Sequence, residues 1–89
     1  MRLFEIDMGR SDLNVTLKDD IKGTIQSQSM KIIGMNSIDV MHYLHTLYDK
    51  FQPDSIHVEC SGFGILPYDY FSQFNSIKPK LKKMRKTAW

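Results

Sequence analysis

Phe51-Gln52-Pro53-Asp54-Ser55-Ile56-His57-Val58-Glu59-Cys60-Ser61-Gly62-Phe63-Gly64 is the stretch that decides how this chain is read. A helical pattern runs into it and must stop at Pro53, which lacks the N–H a helix needs. Ile56-His57-Val58 then reads as a short buried strand, with Glu59 at its carboxyl end. The Ser61-Gly62-Phe63-Gly64 turn follows. In open sheets flanked by helices, ligands collect just beyond the carboxyl ends of strands. Glu59 and the turn after it are therefore the first candidates for a site.

Upstream, residues 2–7 carry Leu3, Phe4 and Ile6 and break at Asp7-Met8-Gly9, the profile of a strand ending in a turn. Residues 13–18 alternate, with Leu13, Val15 and Leu17 on one face and Asn14 and Thr16 on the other. The two runs form an expected β-hairpin. Residues 23–34 read as a third strand whose polar first half lies at a sheet edge or faces water. Asn36 and Ser37 are helix caps, and Asp39 sits where the helix dipole favours an acid. The spacing predicts a helix over 37–51, with Ile38, Met41, Leu44, Tyr48 and Phe51 as its buried stripe and Val40 and Leu47 widening it. His42 and His45 share a side of that helix and are expected to face solvent. A fourth strand spans 55–60, and residues 68–74, after Pro67, form a short helical or packing segment.

The expected fold class is α/β, a small mixed β-sheet in the order β-β-β-α-β-α. A right-handed crossover returns the fourth strand parallel to the first. Asp7 and Glu59 then emerge side by side at one end of the sheet.

Eighty-nine residues with 42% apolar content support one small domain with a modest core. A single cysteine, Cys60, leaves no internal disulfide and points to a reducing, cytoplasmic setting. The sequence has no apolar run of membrane-spanning length and no basic-then-apolar leader. Residues 1–77 carry six Lys/Arg against ten Asp/Glu, whereas residues 78–89 carry six Lys/Arg and no acid. The organisation expected is an acidic domain over 1–77 and a basic tail over 78–89, which bears on partners rather than on fold.

Ile6-Asp7-Met8-Gly9, with Phe51-Gln52-Pro53-Asp54 leading through Ile56-His57-Val58-Glu59, resembles the first half of the ribonuclease-H-like fold. The likeness is to RuvC-type junction resolvases and phage terminase nucleases, so the expected architecture is a truncated ribonuclease-H-like domain. The resemblance implies Asp7 and Glu59 as Mg²⁺ ligands and catalytic acids of a metal-dependent endonuclease. Carboxylate oxygens suit that hard cation, and a metal pair can activate water against a phosphodiester. Those families add carboxylates from a later helix, but Asp69 is the only acid after Glu59. The leading expectation is accordingly a shortened, non-catalytic relative of phage or mobile-element origin. It would act as a regulatory or inhibitory factor that binds nucleic acid or protein, with dimerisation as a route to a complete sheet. Ile32-Ile33-Gly34 and Ile56-His57-Val58-Glu59-Cys60-Ser61-Gly62-Phe63 also resemble STAS-type interaction modules. That resemblance implies Ser61 as the phosphorylatable position, although the aspartate–serine signature is absent.

Lys78, Lys80, Lys82, Lys83, Arg85 and Lys86 crowd the last residues, with Trp89 at the end. Such density can neutralise phosphates, and an exposed Trp can stack on a base. An oppositely charged protein is the other partner this segment suits. The glycine turn lacks the lysine and Ser/Thr of a phosphate loop. Cys60 is read as a buried packing residue, and Phe63 as a lid on the core.

Overall fold

Along the first strand the side chains alternate in character: Phe4, Ile6 and Met8 are buried while Glu5 and Asp7 stay partly exposed. Successive strand residues point to opposite faces, so this alternation marks one face for the core. A computed structural model of the chain describes residues 1–59, 63 and 65–84. Within them β1 (Arg2–Met8), β2 (Asp12–Asp19) and β3 (Thr24–Lys31) are followed by helix α1 (Ser37–Phe51). Then come β4 (Ser55–Glu59), helix α2 (Ile65–Ser72), a 3₁₀ turn over Lys78–Lys80, and β5 (Leu81–Met84).

The five strands form one mixed sheet in the order β3-β2-β1-β4-β5. β1, β2 and β3 are antiparallel neighbours, whereas β4 joins β1 in parallel and β5 joins β4 in parallel. The α/β class and the order of the first six elements are as the sequence predicts. The third strand is shorter than expected and lies at an edge. The last helix begins at Ile65, earlier than the sequence suggests.

β5 is the element that the sequence pattern does not announce. The charge run places residues 78–84 in a tail beyond the domain, yet they turn through a 3₁₀ segment and add a strand to the sheet. The cause is topological. β4 and α2 are the first two parts of a β-α-β unit, whose open edge accepts a third. Leu81, paired with Ile56, packs at the margin of the core.

α1 is capped as predicted. The Asn36 side chain accepts the Ile38 N–H at 2.8 Å, and Gln52, at φ 51, donates its N–H to Tyr48 O. The buried stripe differs in its first turn. Val40, Met41, Leu44 and Tyr48 are buried, while Ile38 is 60% exposed. Phe71 and Pro67 of α2 complete the same layer. The fully buried apolar residues of the strands lie on the face that both helices cover.

The opposite end of the sheet is tied by Arg2. Its guanidinium donates to Asp19 Oδ2 at 3.2 Å and to Phe51 O at 2.9 Å, and its backbone N–H reaches Asp54 Oδ2 at 2.7 Å. Asp19 is buried, and its other oxygen accepts the Ile21 and Lys22 N–H groups of the β2–β3 turn. Gly23, at φ 68, closes that turn in the left-handed region that glycine adopts without steric cost.

The Lys22 N–H, aided by the Arg2 guanidinium and the Ile21 N–H, holds the Asp19 carboxyl below its ordinary value, while burial opposes the shift. A depressed carboxylate contributes stability above its unfolded value of 3.8 and loses it as pH falls through the folded value. We expect the urea midpoint to fall as pH drops from about 5 to about 2. Asp19→Asn should be less stable at neutral pH and should show a flatter acid limb. Identical acid limbs in the two proteins would remove Asp19 from this role.

Candidate functional site

The sheet face that carries no helix is polar across its width. In the pairing register, Ser27, Thr16, Glu5, His57 and Lys82 make one cross-strand row. Ser29, Asn14 and Asp7 make the next, with Glu59 and Met84 continuing it. The β1–β4 register runs through Glu5↔His57 and Ile6↔Val58, so Asp7 and Glu59 are neighbours one residue further on. The structure thus brings together the two acids that the strand order placed side by side. Glu5, Asp7, Asn14, Thr16, His57 and Glu59 line a shallow cleft of about 270 Å³ on this face.

Glu5 and His57 join the site without having been singled out by motif. Their signal is present in the sequence, because in a half-buried strand the residues two positions from Asp7 and Glu59 share their face. Lys18 Nζ pairs with Glu5 at 3.0 Å. Partial burial pushes the His57 imidazole below its ordinary value. Glu5 opposes that shift, and Lys82 and Lys18 reinforce it.

Among the described residues, no three His, Cys, Asp or Glu side chains converge to hold an ion. Asp69, the only later acid, is exposed on α2 and is not among the residues that line the cleft. Glu5 is engaged by Lys18, and Asp7 and Glu59 alone leave most positions of a hard cation to water or substrate, so that pair does not by itself fit a Mg²⁺ ion.

Residues 78–84 of the basic segment form the 3₁₀ turn and β5. Lys80 Nζ donates to Tyr48 Oη at 3.1 Å and lies over that ring, and Lys83 lies 4.9 Å from the centre of the Tyr68 ring. These contacts hold two lysine stems against the helix side of the sheet, while Lys82 pairs with His57 in the open-face row. Lys78, Lys82 and Lys83 are exposed, and none makes an ion pair among the described residues. Arg85, Lys86 and Trp89 lie outside the described residues, as do Cys60 and Ser61. Phe63 is 47% exposed and does not lid the core.

The two helical histidines have different environments. His42 is exposed as expected, but His45 is half-buried, with Nδ1 2.6 Å from Tyr70 Oη and Nε2 3.7 Å from Asp49. Its ring packs edge-on against Phe74 and Tyr70, so it joins α1 to α2. Burial, with the Asp49 charge adding, pushes the Tyr70 hydroxyl above its ordinary value.

No protein-family model matches the chain, and no curated protein sequence matches it. Among solved structures, the chain is similar to a Bacteroides thetaiotaomicron protein with an actin-like ATPase fold and unknown function. The TM-score is 0.64 and the identity 10%, over 93% of this chain. The chain spans 32% of that protein's length. Likeness at this identity concerns fold alone. It corrects the resemblances drawn from the motifs: the solved neighbour has an actin-like fold, related to the ribonuclease-H-like fold but distinct from it. The resolvase, terminase and STAS likenesses are set aside with it. They rested on an element order that fits more than one fold and on an Asp-x-Gly turn short enough to recur.

A His held below its ordinary value stays neutral in the native state while the unfolded chain takes up a proton. Stability is therefore lost as pH falls below the unfolded value of 6.5. Melting temperatures of wild type and His57→Gln measured across this window should diverge. The wild type should decline more steeply toward acid, and parallel curves would remove His57 as a source of the slope.

Proposed function

We propose that the chain is a non-catalytic nucleic-acid-binding module whose phosphate contacts lie along the β5 edge. The observation that carries this reading is the exposed set Lys78, Lys82 and Lys83, held on or beside an ordered edge strand with no acidic partner among the described residues. Arg85 and Lys86 extend the run in sequence, and Trp89 supplies a ring that can stack on a base. Tyrosine contacts at Lys80 and Lys83 limit the rotamer entropy given up when these stems meet a phosphate. Glu5, Asp7 and Glu59 on the neighbouring strands repel phosphate. A nucleic-acid backbone would therefore follow the edge rather than cross the sheet.

The test is fluorescence anisotropy with a labelled single-stranded oligonucleotide over a salt series. Log affinity should fall linearly with log salt. Lys82→Gln with Lys83→Gln should lower the slope by about 1.4, roughly 0.7 for each phosphate no longer neutralised. Deleting residues 78–89 is the poorer experiment, because it strips β5 from the sheet and exposes β4. No binding at low salt, or an affinity indifferent to salt, would overturn the reading and leave a protein partner for the basic edge.

A further inference from the structure

The two edges of the sheet are unlike. β5 is four residues long and carries Lys82 and Lys83, and charge on a short edge strand discourages further pairing. β3 is eight residues long and uncharged from Thr24 to Met30. It has no proline, and its register against β2 is unbroken. No strand among the described residues pairs with its outer side, and every residue of it except Met30 is exposed.

Which backbone groups of β3 point outward follows from the hydrogen-bond alternation. Gly9 N–H donates to Asp12 O, and Asp20 N–H to Met1 O, so the even-numbered residues of β2 face β1. The odd-numbered residues of β2 then face β3, in keeping with the bond from Ile32 N–H to Ser11 O. In the β2–β3 register, Gln26, Gln28 and Met30 meet odd-numbered partners and bond inward. Ile25, Ser27, Ser29 and Lys31 therefore present their N–H and C=O groups outward. Their side chains all lie on the open polar face of the sheet.

The edge is also held in shape. Tyr43 Oη of α1 donates to Gln28 Oε1 at 2.7 Å, Ser29 hydrogen-bonds to Asn14, and Ser27 lies beside Thr16.

We propose that β3 is a homodimer interface, pairing antiparallel with β3 of a second copy about a two-fold axis at Gln28. In that register Ile25 faces Lys31 and Ser27 faces Ser29, and every outward amide from Ile25 to Lys31 is used. Like charges never oppose one another, because Lys31 meets Ile25. The pairing covers Ile25, otherwise 68% exposed, with the lysine stem. An axis perpendicular to the sheet keeps both helix layers on one side, so the two sheets become continuous. Self-pairing of one patch is the commonest form of oligomer symmetry. The inference is independent of nucleic-acid binding, which uses the opposite edge.

Sedimentation equilibrium of the full chain tests it. The wild type should give the mass of two chains. Ser27→Pro removes an outward N–H, which a sheet edge tolerates, together with the 3.4 Å hydroxyl contact to Thr16, and should give one chain with an unchanged far-ultraviolet circular dichroism spectrum. Ser27→Lys combined with Ser29→Lys sets lysine against lysine across the axis and should also dissociate the pair. Ser27→Lys combined with Ser29→Glu sets opposite charges there and should restore it. A wild type that is a single chain at its highest soluble concentration overturns the proposal. So does a dimer that survives the paired lysine substitutions.

Discussion

The parallel pairing of β1 with β4 is the constraint on which the rest depends. It matches Phe4 with Ile56 and Ile6 with Val58 on the helix side, and all four side chains are essentially excluded from solvent. The same register aligns Glu5 with His57 and carries Asp7 to Glu59 on the other side. Core and cleft are thus two faces of one alignment. A slip of one residue would exchange them, putting carboxylates into the core and leucine-sized side chains into water. Burying an unpaired carboxylate costs several kcal/mol, so the register is fixed as strongly by what must stay out as by what packs within.

Both helices lie on one side, which is unusual for parallel strands, since these are commonly covered on both faces. The antiparallel half can leave a face in water, and β1 joins the two halves. Its open-face residues are Leu3, Glu5 and Asp7, two of the three charged. The open face is stabilised by cross-strand polar contacts, Lys18 with Glu5 and Lys31 with Asp12, rather than by a second hydrophobic layer. Exposed ion pairs of this kind contribute little, about 0–1 kcal/mol each. Global stability therefore rests on the single helix-side core, on the Arg2–Asp19 tie at the far end, and on the His45–Tyr70 contact between the helices.

The sequence is most legible where one residue type has one structural meaning. Pro53 and the Asn36 cap delimit α1 at the residues predicted. The period-two pattern of Leu13, Val15 and Leu17 marks the inner face of β2, and strand order alone anticipates Asp7 beside Glu59. Legibility fails where the decision is tertiary. Ile38 and Val40 both belong to the apolar stripe read from the sequence, and only the docking angle of the helix leaves Ile38 in solvent. Leu81-Lys82-Lys83-Met84 has no alternation to announce a strand. It becomes one because β4 offers an unpaired edge, and its charges read as solvation in either state. The family likeness fails for a related reason: a short acidic turn and a shared order of elements identify a topology, not one of the folds that use it.

Charge is distributed across the sheet in strips. β3 is neutral from Thr24 to Met30, β1 and β4 carry the acids of the cleft, and β5 carries lysines. The acidic and basic strips are adjacent, yet among the described residues Lys82 makes no ion pair with Glu5 or Glu59. Its cross-strand partner is His57, whose imidazole burial, with Lys82 and Lys18 adding and Glu5 opposing, pushes below its ordinary value. A neutral imidazole between the strips separates them without quenching either. A protonated one would add a cation to the β5 side and draw the cleft carboxylates toward it.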